Sequence, residues 1–468
     1  MTRRPGRRRP VRRIVFLGQL GIGNLGNEAS LAAALRLLEP SDGVEVTVVC
    51  DAPDVVTAEH GVPAAPLHAP RPADARGRSA AVVGKARDAA LAWRSVRATD
   101  AVLVPGTGIL EGRGVSPGGI PLTLLWYAGA ARLLRRPFLV LSVGADGLGG
   151  PLVQRLFRRT LAWSTYVTVR DDGSADVVER SGLPRPQVVP DLVLAEAPPG
   201  APGHRGGGSA DDAFGDAFGD AFGDPFADDV LARRRSGRHG DDYGDGGFGD
   251  GGFGDGVPVV AVGVIQYSGF GAPEGPEDQA AYLDRAVRLV RRLVDGGVAV
   301  RVIGGAAVDA PTARRVVAAA RRAGCPPQRV VLAPAADMST LESWLRGCAA
   351  VVATRYHNLV SALRAGIPAV AIGYAEKQRW LLEQAGTTGR AHDVTTFTPE
   401  IVAAQVSQIL AQGDVERAAL AVSLLAARAA LAGQRDRVRA LLGLRPARSR
   451  RDGARGAERE EDAEGVVG

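Results

Sequence analysis

Val351-Val352-Ala353-Thr354-Arg355-Tyr356-His357-Asn358, running on through Leu359 to Ala365 into Gly366-Ile367-Pro368, is the stretch from which the rest of the chain can be read. Val351 to Ala353 ends an apolar run with the character of a buried strand, and Leu359 to Arg364 is helix-like. A second apolar run, Ala369 to Ile372, leads into Gly373-Tyr374-Ala375-Glu376-Lys377. The order is strand, polar turn, helix, strand, polar turn. In α/β proteins such turns lie at the carboxyl ends of the strands, where ligands bind. Composition reinforces the position. Of 57 basic residues only Lys85 and Lys377 are lysines, and the only asparagines are Asn24, Asn27 and Asn358. A chain so biased toward arginine, alanine and glycine keeps both an ammonium and a carboxamide here. The competing reading is a structural turn whose polar groups satisfy one another.

The same alternation extends in both directions. Arg12 to Leu17 reads as a strand, followed by a Gly-rich turn from Gly18 to Glu28 and a helix from Ala29 to Leu38. Such a strand–turn–helix step is an anion site in waiting, because the first backbone N–H groups of a helix lack partners. It is neither a Walker A loop nor a proper dinucleotide fingerprint. Further strands are expected at Val44 to Cys50, Thr99 to Val104, Pro137 to Val143 and Tyr166 to Val169, the last delivering Arg170-Asp171-Asp172-Gly173-Ser174 to the same edge. After residue 256 the alternation restarts with strands at Val257 to Val264, Val298 to Ile303 and Val330 to Leu332. A helical stretch from Pro399 to about Leu442 closes it. Alternating elements of these lengths predict parallel sheets covered on both faces.

Residues 197–256 interrupt the pattern. Phe-Gly-Asp-Ala repeats every four residues from Phe214, a five-residue repeat follows from Phe248, and six of the eleven phenylalanines fall in this segment. Such a composition buries too little surface to offset chain entropy. The expected fold class is therefore α/β, with two Rossmann-like domains, 12–196 and 257–442, facing a cleft. A disordered Gly/Asp/Phe-rich insertion over 197–256 separates them, a basic tail (1–11) precedes them and a charged tail (443–468) follows.

Charge and cysteine content bound the partners. The net charge is +6, but seven arginines lie within residues 1–13, so the remainder is near −1. The folded part shows no basic stripe with interleaved aromatics, which argues against nucleic acid as a partner; the basic tail suits peripheral contact with anionic lipid, or simple solvation. Cys50, Cys325 and Cys348 follow no metal spacing and read as buried thiols in a reducing compartment. No apolar signal segment follows the arginines, and the expectation is a cytoplasmic protein, at most lying on the inner face of the membrane.

Three groups stand at expected strand ends: Arg170, His357 and Lys377. An arginine grips a carboxylate or phosphate bidentately, a lysine acts as a point charge, and a histidine exchanges a proton near neutral pH. If they converge, they form an anion pocket with a proton donor. Arg170 beside Asp171 is equally consistent with a surface ion pair, and His392 competes with His357.

At these residues the chain resembles a known family. Gly21-Ile22-Gly23-Asn24-Leu25-Gly26-Asn27-Glu28, Arg170-Asp171 with Ser174, Arg355-Tyr356-His357, Gly366-Ile367-Pro368, and Tyr374 with Lys377 are similar, in this order, to the motifs of the polysaccharide pyruvyl transferases. Asn27 stands where aspartate is usual in that family. The resemblance implies a GT-B-like fold and transfer of the enolpyruvyl unit of phosphoenolpyruvate to two hydroxyls of a saccharide, nucleotide- or lipid-linked, in cell-surface polysaccharide synthesis. Phosphoenolpyruvate is then a co-substrate, with no separate cofactor and no metal. Arg170 and Lys377 would hold its anionic groups and His357 would be the general acid. Gly23, Asn24, Gly26, Asn27, Glu28, Arg355, Asn358 and Tyr374 would contact substrates. The alternatives are a GT-B glycosyltransferase using a nucleotide sugar, with Glu376 as a ribose ligand, and a non-catalytic carbohydrate-binding relative.

Overall fold

A computed structural model describes residues 12–71, 77–112, 114–147, 149–195, 256–266, 276–335, 337–374 and 376–446. The expectations for the two tails and for the insertion lie, apart from a few flanking residues, outside this set. Two sheets, each all-parallel, form the frame. The first contains β1 (Arg13–Leu17), β2 (Glu45–Cys50), β3 (Ala64–Pro66), β4 (Ala101–Val104), β5 (Phe138–Val143), β6 (Tyr166–Val169) and β7 (Gln187–Val188), in the order β3-β2-β1-β4-β5-β6-β7. The second contains β8 (Val259–Gly263), β9 (Ala299–Ile303), β10 (Val330–Ala333), β11 (Ala350–Ala353), β12 (Ala369–Gly373) and β13 (Ala391–Asp393), in the order β10-β9-β8-β11-β12-β13. The central strands are buried on both faces, which is why they read as continuous Val/Ala/Leu runs rather than alternating ones.

Both sheets reverse direction of travel beside their first strand, between β1 and β4 and between β8 and β11. At such a switch point the flanking loops diverge to opposite faces and leave a crevice beyond the strand ends. The helices are α1 (Leu25–Leu35), α2 (Pro53–His60), α3 (Gly77–Ala98), α4 (Ile120–Leu133), α5 (Pro151–Trp163) and α6 (Asp172–Arg180) around the first sheet. Around the second lie α7 (Pro276–Asp295), α8 (Ala310–Arg322), α9 (Met338–Leu345), α10 (Tyr356–Arg364), α11 (Lys377–Gln384) and α12 (Pro399–Ala411), and α13 (Gly413–Leu441) follows. The two-domain α/β expectation is met, and the arrangement is GT-B-like. All three cysteines are buried and unpaired. Among the described residues no helix is long and apolar enough to cross a membrane.

Two features depart from the sequence expectation. Residues 51–98 contain two helices, α2 and α3, that the hydrophobic pattern did not reveal. The helical stretch after Pro399 is two helices, and the second leaves its own domain. In α13, Gln434 donates to Ser142 Oγ (3.0 Å), and Arg439 donates to the Leu37 carbonyl (3.0 Å) and to both oxygens of Asp42 (2.8 and 2.7 Å). The helix thus spans both halves: around Gln434 and Arg439 it packs on the N-terminal domain, while Glu416 near its start accepts from Arg390 (2.9 Å) of the C-terminal domain.

Candidate active site

The loops at the two switch points face each other, and an isolated antiparallel bridge between Asn24 and Ala306 joins them. On the N-terminal side the turn after β1 leads into α1, whose N-cap Asn24 accepts from Gly26 N (3.2 Å). Gly23 is an exposed left-handed residue in that turn. Gly26 is required by close approach: a Cβ there would sit 1.8 Å from His357 Nδ1 of the opposite domain. His357, in the first turn of α10, is therefore wedged against the start of α1.

Three cations surround this imidazole. Burial first, and then the charges of Arg170, Lys377 and Arg355, hold the His357 pKa well below its ordinary 6.5. Burial and these charges disfavour the protonated imidazole in the free protein. Its Nε2 is buried without a hydrogen-bond partner.

Arg170 follows β6 and is only 2 % exposed, so it is no surface ion pair. Its guanidinium lies 4.0 Å from the Tyr356 ring centroid and is ringed by Glu111 (3.4 Å), Asp171 (3.6 Å) and Asp191 (3.7 Å). Asp171 also caps α6 by accepting from Ser174 N, and Gln384 of α11 donates to the Arg170 carbonyl (2.9 Å), tying the domains together at this point.

Lys377, the first residue of α11, reaches across the cleft. Its Nζ donates to both oxygens of Glu111, at 2.9 and 3.1 Å, and stands 5.7 Å from the Tyr374 ring centroid. Glu111 is thus gripped by the two cations assigned to substrate. Burial pushes its carboxyl upward, but Lys377 and Arg170 outweigh this and leave the pKa below 4.5. The sequence reading passed over Glu111. The available signal was its place just after the Pro105-to-Leu110 turn, at the same sheet edge as the other candidates.

The remaining candidates divide. Arg355 forms a bidentate pair with the fully buried Asp309 (2.9 and 2.7 Å), whose carboxylate also accepts from Gln266 N and Gly305 N. Its guanidinium braces the loop after β9. Asn358 is fully buried and donates to the Gly304 carbonyl (3.4 Å), and Asn27 is buried and donates to the Gln19 carbonyl (2.9 Å). Both amides donate to backbone, while Asn358 Oδ1 is buried without a hydrogen-bond partner. Glu28 accepts from Gly21 N (2.7 Å) and lies 3.4 Å from His60, and with Glu59 these side chains group three carboxylate and imidazole atoms within 4.8 Å of one another. His392, in β13, is hydrogen-bonded to Gln405 (2.7 Å). Glu376 is exposed and held by Arg379 through its Nε (2.7 Å). Beside Glu111 a cavity of about 240 Å³ opens into the N-terminal domain, lined by Gln19, Asp51, His68, Ile109 and Ile120 among others.

Solved structures with the same fold are distant in sequence. The S. aureus MnaA–UDP structure superposes with a TM-score of 0.53 at 12% identity, covering 94% of this chain and 99% of that one. The Neisseria meningitidis UDP-GlcNAc 2-epimerase bound to UDP-GlcNAc gives 0.51 at 9% identity (87% and 94%), and Anabaena Alr3699/HepE in complex with UDP gives 0.51 at 13% (90% and 99%). At these identities the likeness speaks for the fold alone. Among curated proteins none matches the chain. The family model for polysaccharide pyruvyl transferase matches residues 24–376, a span running from the N-cap of α1 to the residue before Lys377. The chain belongs to the polysaccharide pyruvyl transferase family.

Proposed function

We propose that the protein transfers the enolpyruvyl unit of phosphoenolpyruvate to two hydroxyls of a saccharide, leaving a cyclic pyruvate ketal and phosphate. The observation that carries this reading is the Arg170–Glu111–Lys377 cluster, in which a carboxylate is seated between a guanidinium and an ammonium whose charges also act on the buried His357. A site that holds one carboxylate between an ammonium and a guanidinium suits another of the same chemistry.

The chemistry balances on these groups. Phosphoenolpyruvate brings a carboxylate and a phosphate whose charge offsets the cations that depress His357, so the imidazole gains a proton as the ligand binds. His357 passes that proton to the methylene carbon. C2 becomes electrophilic and the first acceptor oxygen adds there. Phosphate then departs and the second hydroxyl closes the ketal. Of the two hydroxyl protons, one replaces that delivered to the new methyl group and the other leaves with phosphate. Holding the two anionic groups orients C2 against the acceptor, an effect worth several kcal/mol in well-placed reactions. The acceptor is a saccharide carried on a nucleotide or lipid, as suits assembly of a cell-surface polysaccharide at the cytoplasmic face of the membrane.

Thermal unfolding with phosphoenolpyruvate, set against UDP-sugars and inorganic phosphate, tests the donor. A ligand of the folded state raises the midpoint as its concentration passes the dissociation constant. A rise with phosphoenolpyruvate that is lost in Lys377→Ala supports the reading; a rise with a UDP-sugar alone overturns it.

A further inference from the structure

Glu111 has no place in the transfer chemistry above, yet it occupies the centre of the site. Its two oxygens take both short contacts that Lys377 Nζ makes, and one of them also lies 3.4 Å from Arg170 Nη2. The fit is built in. A Cβ on Gly108 would stand 2.3 Å from Glu111 Oε1, so the side chain folds back over a residue that has no Cβ to obstruct it. Glu111 also has somewhere to go. It is 27 % exposed and lines the cavity of about 240 Å³, where it can withdraw from the cations without crossing packed core.

We infer that Glu111 is an internal competitor for the anion site, setting an occupancy threshold that a ligand carrying two acidic groups clears and a ligand carrying one does not. This rests on the functional reading above. A single carboxylate or phosphate offers Lys377 and Arg170 only what Glu111 already supplies, so its displacement brings no net gain. A ligand bearing both groups replaces the Glu111 contact and adds a second anionic contact that the glutamate does not make. Because a ligand binds only the fraction of molecules in which Glu111 has withdrawn, apparent affinity falls by that fraction, and ligands with one acidic group are left below useful occupancy. Glu111 would thus screen the donor from inorganic phosphate and pyruvate, the free acids that share its functional groups.

Calorimetric titration of the full chain tests this with phosphoenolpyruvate, inorganic phosphate and pyruvate as probes. Glu111→Gln and Glu111→Ala remove the competing charge, and Gly108→Ala pushes the intact carboxylate off the cations by an independent route. Each should bind phosphoenolpyruvate, phosphate and pyruvate about tenfold or more tightly than wild type does, by a common factor. Affinities no higher than those of wild type, or a uniform weakening of all three, would overturn the inference even where wild type binds phosphoenolpyruvate. If neither wild type nor the variants bind phosphoenolpyruvate while the variants gain phosphate, the donor assignment fails and the competition stands.

Discussion

Gly26→Ala tests the contact that brings the two domains together at His357. In the first turn of a helix the substitution by itself is neutral or stabilising, since alanine is favoured over glycine by up to about 1 kcal/mol. Here the added Cβ would lie 1.8–1.9 Å from three atoms of the His357 ring. Relief to ordinary contact requires a movement of about 1.6 Å. The ring has little freedom to provide it, for Tyr356 packs edge-on against it at 5.2 Å between centroids and the cation cluster stands beside it. The start of α1 therefore shifts, or the imidazole leaves its position. Overpacking of this kind costs about 1–3 kcal/mol, with a melting midpoint lower by ~2–4 °C per kcal/mol in domains of this size. A displacement of ~1 Å in a reacting group lowers turnover by about 10²-fold. Melting curves, with phosphate release from phosphoenolpyruvate as the activity assay, give both readouts. A variant as stable as wild type, or more so, with donor turnover intact would show that α1 and His357 do not meet as described.

Four other outcomes are expected. His357→Ala should leave the fold intact, since Nε2 has no partner to lose, while turnover falls by ~10²–10⁴-fold, as for loss of a general acid. Donor binding near pH 7 should take up a proton, because the ligand's charge raises His357 from a value held well below 6.5; titrations in two buffers of different ionisation enthalpy measure it, and no difference between buffers argues against His357 as the acid. Glu111 carries a lowered pKa, so its stabilising contribution is present above pH 4.5 and fades as pH falls through the folded value. In Lys377→Ala that value rises, and acid unfolding should begin at a higher pH, as read from denaturation midpoints between pH 3 and 6. Arg439→Ala removes the bidentate pair with Asp42, which keeps its hydrogen bond from Glu39 N (2.7 Å), and should destabilise the chain by ~1.5–3 kcal/mol, with hydrogen exchange accelerating first across 413–441.

The division between what was legible in the sequence and what was not follows range. Strand and helix depend on periodicity and on turn residues a few positions apart, so the alternating elements, the polar turns at strand ends and the ordered motifs at Gly21 to Glu28, Arg170 and Arg355 to Lys377 could be read directly. The amphipathic signal failed at α3, where alanine-rich faces offer little contrast between buried and exposed sides, and at α2, a short helix with one buried apolar residue, Val56. The partner of each charge was beyond reach. In one dimension Arg355, Asn27 and Asn358 show only polar groups at strand ends, and the fold adds Asp309 and the Gly304 and Gln19 carbonyls as partners of their donors. Glu111 and Lys377 lie 266 positions apart and meet only because two separately formed sheets place their switch points face to face. α13 crosses to the other domain for the same reason: Arg439 and Gln434 find Asp42 and Ser142 on a surface that no local pattern describes. The sequence by itself determined the elements and the chemical types available. The tertiary structure decided which charges face each other, because Coulomb energy and desolvation depend on distances through space that neighbouring residues do not set.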